Sequence, residues 1–208
     1  MKILVTFLLA VLSFQTGFSQ STILPYAGIS FANLQGQTTE PIPLVLIINS
    51  EDKTSKGFLI GLTYLRLISG NSSLGLSIYT QSFRAKSSVS RALLPPESIK
   101  FREITLVPLY EHNLLKEKLK IFLGPQLTML TGHKEVYVRA DGTKFESKFS
   151  ARDNFLFGGQ VGLRVNINSI WVGASLSVPF SFRYPDRYRD YLSEYSSFSL
   201  RAGYSFQL

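Results

Sequence analysis

Eight times along this chain apolar side chains recur at every second residue, and no segment of any length shows the 3.6-residue repeat of a helix. Period two places neighbouring side chains on opposite faces of an extended strand. The segments are 23–34 (ILPYAGISFANL), 57–67 (GFLIGLTYLRL), 73–83 (SLGLSIYTQSF), 99–112 (IKFREITLVPLYEH), 119–131 (LKIFLGPQLTMLT), 154–167 (NFLFGGQVGLRVNI), 169–182 (SIWVGASLSVPFSF) and 196–208 (SSFSLRAGYSFQL). Their length, ~10 residues or more, is that of a tilted strand crossing a bilayer. The connections alternate: 35–56 long, SGNSS short, 84–98 long, NLLKEK short, 132–153 long, Asn168 alone, 183–195 long. Both chain ends therefore share the short-turn side. The expected fold is all-β, an eight-stranded antiparallel up-and-down barrel with short turns at one end and long loops at the other.

Alternation does not say which face is outside, because a soluble lipocalin-like barrel alternates too. The character of the polar face decides. Segment 169–182 offers Gly173, Ser175, Ser177, Pro179 and Ser181 on that face, segment 154–167 offers Gly158, Gln160, Gly162 and Arg164, and segment 73–83 offers Gly75, Ser77, Tyr79 and Gln81. A water-facing exterior would carry Lys, Glu and Thr; small residues with an occasional large polar one fit a narrow interior. The other face is bulky and apolar, as in Ile170, Val172, Leu176, Val178 and Phe180 or Leu119, Ile121, Leu123, Leu127 and Met129. Such a band is expected to meet lipid, with Phe180, Phe182 and Tyr184 at one interface and Tyr204 and Phe206 at the other.

Composition and address agree with that expectation. Lys2, the apolar run 3–12 and the small residues before Gln20 read as a signal peptide removed after Ser19, leaving residues 20–208 as one barrel domain. There is no Cys, so neither a disulfide framework nor a thiolate metal site is available. The charged fraction is 17%, below the ~25% of ordinary soluble domains. The formal charge of +8 is read as basic loops facing anionic lipid headgroups rather than as a nucleic-acid footprint. The final segment alternates to Leu208, as a strand closing the barrel against the first would, since an unpaired edge in lipid costs several kcal/mol per orphaned group. Tyr204, Phe206 and Leu208 also resemble the C-terminal signal by which outer-membrane proteins reach the assembly machinery.

The stretches YAGISFANL (26–34), GFLIGLTY (57–64), REITLVPLYEH (102–112), FLGPQLTMLTG (122–132), FGGQVGLRVN (157–166) and LRAGYSFQL (200–208) resemble the PorT-type outer-membrane β-barrel family of Gram-negative bacteria that use type IX secretion. The resemblance spreads over residues 20–208 and implies an eight-stranded outer-membrane barrel with a role in secretion or envelope upkeep; the alternation of short turns and long loops places both termini on the expected periplasmic side. The expected partners are outer-membrane lipids and lipopolysaccharide, the barrel assembly machinery, and an envelope or secretion protein.

Several residues stand out inside this framework. Glu103 and Glu111 share the inward face of segment 99–112, and Arg164 and Arg201 are inward by the same test. Charges sealed in a barrel must be paired, so a network of Glu103 with Arg164 and Arg201 is expected, joined by Gln126, Gln160 and Lys120 and plugging the lumen. His112 and His133 are the only histidines, at opposite ends of their strands. Only His133 lies at the depth a lipid A deacylase or acyltransferase would use, and no Ser and acid are fixed beside it by local spacing, so no catalytic residue is assigned. No metal or cofactor motif occurs. Asp141-Gly142 within 136–147 signals a hairpin extending the fifth and sixth strands outward. Two loops have the composition of interaction surfaces: the apolar PIPLVLII with Ile42, Leu44, Leu46 and Ile48, and RYPDRYRDYLSEY with Tyr184, Arg187, Tyr188, Arg189 and Tyr191. The expected function is a non-enzymatic structural or interaction protein acting through these loops; the alternatives are a lipid-modifying enzyme and a small-solute channel.

Overall fold

The computed structural model describes residues 20–34, 54–86, 96–115, 118–138, 142–149, 155–179 and 195–208. The signal segment 1–19 and the loop residues Ile42, Leu44, Leu46, Ile48, Tyr184, Arg187, Tyr188, Arg189 and Tyr191 lie outside them, as do Phe180 and Phe182. The strands are β1 (Ser21–Leu34), β2 (Thr54–Ser69), β3 (Ser72–Lys86), β4 (Pro96–Leu115), β5 (Leu119–Val138), β6 (Lys144–Phe149), β7 (Phe155–Ile167), β8 (Ile170–Pro179), β9 (Tyr195–Tyr204) and β10 (Phe206–Gln207). The antiparallel ladder runs β1-β2-β3-β4-β5-β7-β8-β9, with β6 paired to β5 off that path and β9 and β10 both paired to β1.

The sheet closes on itself. β9 runs beside β1 from Tyr26↔Gly203 to Leu34↔Tyr195, and β10 resumes the same register after Ser205 with Ile23↔Phe206 and Thr22↔Gln207. The Leu208 N–H then donates to the Ser21 carbonyl at 2.8 Å. Alternation persists to the last residue because that residue is paired. The result is an eight-stave barrel in which β10 prolongs β9 and β6 lies outside the circuit.

β4 and β5 outrun the segments that periodicity marks, each reaching 20 residues. Their loop ends continue together from Lys100↔Lys134 to Pro96↔Tyr137, and β6 adds a third strand from Val138↔Lys144 to His133↔Phe149. The hairpin expected at Asp141-Gly142 is therefore present, with Gly142 at φ 81°. It extends β5 as expected, but its return arm is a strand separate from β7. At the opposite end the chain turns tightly: the Lys118 N–H bonds the Leu115 carbonyl at 2.7 Å, and Asn168, at φ 58°, takes the left-handed conformation that the two-residue turn between β7 and β8 requires.

The faces fall as the small-residue argument expects. Ile60, Leu62, Ile78, Ile104, Leu123, Val161, Leu163, Val172, Leu176 and Leu200 are exposed around the outside of the barrel. Phe58, Phe155, Phe157 and Phe198 ring this band toward the loop end, and Tyr64, Tyr110, Tyr204 and Phe206 toward the turn end. The Tyr204 and Phe206 rings pack 4.7 Å apart. Inside lie Leu24, Tyr26, Leu59, Leu65, Tyr79, Val107, Leu109, Phe122 and Trp171 as one buried cluster, together with buried Ser, Thr, Gln, Glu and Arg side chains.

Candidate site in the barrel lumen

Toward the turn end the lumen is filled by large side chains laid on glycines of the neighbouring strand. Phe122 faces Gly162, Trp171 faces Gly203, Tyr26 and Tyr79 flank Gly61 from either side, and Leu65 faces Gly75. A Cβ at Gly162 would sit 2.3 Å from Phe122 Cζ, and one at Gly203 2.8 Å from the Trp171 indole nitrogen. Each ring thus occupies the volume its cross-strand partner gives up, a pairing that also pins register. Tyr26 and Trp171 meet edge to face, with centroids 5.6 Å apart.

The charges sit in and around this plug. Arg164 Nη2 donates to Glu111 Oε1 at 2.7 Å, with both side chains almost fully buried, and Lys120 Nζ approaches the same oxygen at 3.6 Å. The expected partner of Arg164 was Glu103; the cross-lumen geometry delivers Glu111 instead, since Lys120↔Arg164 and Glu111↔Phe122 bring these three to the turn end. Glu103, 2% exposed, accepts a hydrogen bond from Gln81. Arg201 lies 4.7 Å from the Tyr79 ring centroid and 5.3 Å from that of Tyr26, and its Nε donates to Ser199 Oγ at 3.0 Å. Among the described residues Arg164 thus pairs with Glu111, and Arg201 meets Ser199 and two aromatic rings, where the sequence reading joined both to Glu103.

Toward the loop end hydroxyls take over. Gln160 Nε2 donates to Ser177 Oγ at 3.0 Å and to Tyr79 Oη at 3.2 Å. Ser175 and Ser199 hydroxyls are 2.7 Å apart, as Thr105 and Thr128 are 3.0 Å apart, and Gln126 donates to Thr128 at 2.9 Å. Ser30, Ser55 and Ser197 are also buried there. Sequence reasoning found the small and charged members of this lumen but passed over Tyr26, Phe122 and Trp171. The signal that marks them is a glycine directly across the ladder.

His112 lies outside the lumen. The Ser72 hydroxyl, on the outer face at the turn end, stands 3.0 Å from His112 Nδ1 and 2.8 Å from Tyr110 Oη. Ser72 and His112 are direct cross-strand partners, while Glu111 beside His112 is buried in the lumen. Among the described residues this is a polar cluster at an interface, with no carboxylate completing a triad. His133 pairs with Phe101 and Phe149 in the extension beyond the circuit. No group of three or more His, Cys, Asp or Glu capable of holding a metal occurs among the described residues.

No family model matches the sequence, and no curated protein matches it. Among solved structures, Ail of Yersinia pestis, crystallised with the heparin analogue sucrose octasulfate, is 17% identical over 90% of this chain and 99% of its own, with a TM-score of 0.46. Neisserial surface protein A is 12% identical over 90% of this chain and 97% of its own, with a TM-score of 0.47. The N-terminal β-barrel domain of Pseudomonas aeruginosa OprF is 10% identical over 90% and 97%, with a TM-score of 0.40. Likenesses this distant leave the barrel to be judged on its own ladder and its own surface.

Proposed function

We propose that this chain is an integral outer-membrane barrel of the PorT type, with its turns and both termini in the periplasm, that acts as a structural or interaction protein through its external loops. The observation that carries the reading is the inversion of the molecule: a closed antiparallel circuit whose exposed face is aliphatic between aromatic belts and whose buried face is polar. In water that exterior would aggregate; in lipid it is the stable arrangement, and only a closed barrel leaves no unpaired edge there.

The plugged lumen supports a role outside the barrel bore. Eight strands enclose a space that side chains fill, and here aromatic rings and the Arg164–Glu111 pair cross it. Function is then left to loops 35–53 and 180–194, with Ile42, Leu44, Leu46 and Ile48 in one and Tyr184, Arg187, Tyr188, Arg189 and Tyr191 in the other. Their partners are lipopolysaccharide and an envelope or secretion protein. The reading is non-enzymatic.

The test begins with the protein from the outer-membrane fraction, run boiled and unboiled on a gel. A heat-dependent shift is expected; a soluble periplasmic protein without one would return the lipocalin-like reading. Photo-crosslinkers at Leu44 and Tyr188 are then expected to capture lipopolysaccharide or an envelope protein. Steady current through planar bilayers would restore the channel, and an altered lipid profile on replacing His112 or His133 by Ala would restore the enzyme.

A further inference from the structure

We propose that the lumen holds a small monovalent anion of the halide class between Arg164, Arg201 and Trp171. Arg201 is 7% exposed, bonds a serine hydroxyl and faces two aromatic rings, and has no carboxylate partner among the described residues. Arg164 gives one nitrogen to Glu111, a carboxylate it shares with Lys120. A cation left uncompensated in a water-poor interior is strongly unfavourable, and a bound counter-ion removes that penalty.

The geometry says where the ion sits. Arg164 Nε and Nη1 and Trp171 Nε1 are buried without a hydrogen-bond partner, in side chains only 3% and 4% exposed. All three are obligate donors, since neither a guanidinium nor an indole N–H can accept. Arg164 lies against the Trp171 ring, 5.6 Å from its centroid. Both, with Arg201, line a cavity of about 30 Å³ to which Thr63, Ser77 and the Glu111 carboxylate also contribute. A water needs roughly 10–15 Å³ by this measure, so the space admits a halide and one water but is small for a tetrahedral oxyanion. Gln160 Oε1, the unpartnered acceptor lining the same cavity, takes a hydrogen from that water, which gives its other one to the ion.

Trp171 is the only tryptophan and so reports on the site directly. The detergent-solubilised barrel would be titrated with bromide against gluconate at constant ionic strength. Saturable quenching of Trp171 fluorescence by bromide is expected, together with a rise of about 3–5 °C in melting temperature for each tenfold increase in bromide above its dissociation constant. Both responses are expected to vanish in Arg201→Gln. Crystals grown in bromide should show an anomalous peak beside the Trp171 indole nitrogen, a readout that needs no variant. A weak, unsaturable quench, an undiminished response in a folded Arg201→Gln protein, or density without anomalous signal, meaning water only, would each overturn the proposal.

Discussion

The two halves of the lumen are closed by different means. Toward the turn end, rings and branched chains fill volume vacated by glycines, and one ion-pair cluster is set among them. Toward the loop end, short hydroxyl side chains and Gln160 close the space by hydrogen bonds to one another. The first half is specified by shape and charge, so it responds steeply to single changes. The second is specified by polarity, and its members stand in for one another. The turn-end half is then the part of the lumen that single substitutions disturb most, and the loop-end half the part that tolerates them.

The steepest response is expected at Glu111. Glu111→Leu leaves Arg164 and Lys120 facing each other across an apolar site, and removing one partner of a buried pair costs about 3–5 kcal/mol. Urea unfolding followed by Trp171 fluorescence should show the loss. Adding Arg164→Met should recover more than half of it, because the second change removes the stranded charge. If Glu111→Leu is no worse than a loop-end serine substitution, charge does not distinguish the halves.

This pairing also shows where the sequence stops being legible. Period two marks inward and outward residues, so Glu103, Glu111, Arg164, Arg201 and Gln160 were all assignable to the lumen from one dimension. Which of them meet was not assignable. Glu103 and Glu111 lie eight residues apart on one face, ~26 Å along a strand at ~3.3 Å per residue, and strand tilt alone decides which stands level with Arg164. The hairpin signal at 136–147 marked the outward extension of β5, but not that β4 accompanies it or that the return arm is a separate strand: 132–138 (GHKEVYV) lies between β4 and β6 and owes its strand to pairing with both rather than to a strict alternation of its own. Trp171, Phe122 and Tyr26 were obscured because a lumen position was expected to be polar, whereas a plug needs volume.

A smaller effect is expected from testing the interlocks themselves. Gly162→Ala places a Cβ against the Phe122 ring and the Ala174 carbonyl oxygen, and overpacking of this kind costs about 1–3 kcal/mol. Combined with Phe122→Leu, the same alanine should do less damage than it does alone, a coupling read from a double-mutant cycle. Additive losses would mean that the backbone contact, not the ring, makes glycine necessary there. At the loop end Ser175→Ala removes one member of a hydroxyl pair whose other member, Ser199, still receives the Arg201 N–H. A loss of about 0.5–1.5 kcal/mol is expected, below that of Gly162→Ala in the same assay.

The smallest effect tests the interchangeability of the hydroxyl half. Thr105 and Thr128 are direct cross-strand partners, 0% and 1% exposed, bonded to each other at 3.0 Å. Thr105→Val alone leaves the Thr128 hydroxyl with Gln126 as its remaining donor, a loss of about 1 kcal/mol. Replacing both by Val keeps the β-branched shape on both strands and removes the two groups that needed each other, so the double variant should lie closer to the parent than the sum of the single changes. Gln126 then loses its acceptor, but it is only partly buried and can turn toward water in the loop-end half. If the double variant instead loses as much as Glu111→Leu, the loop-end lumen is as rigidly determined as the turn-end plug. The two halves would then be one continuous core, and the seal would extend through the whole barrel.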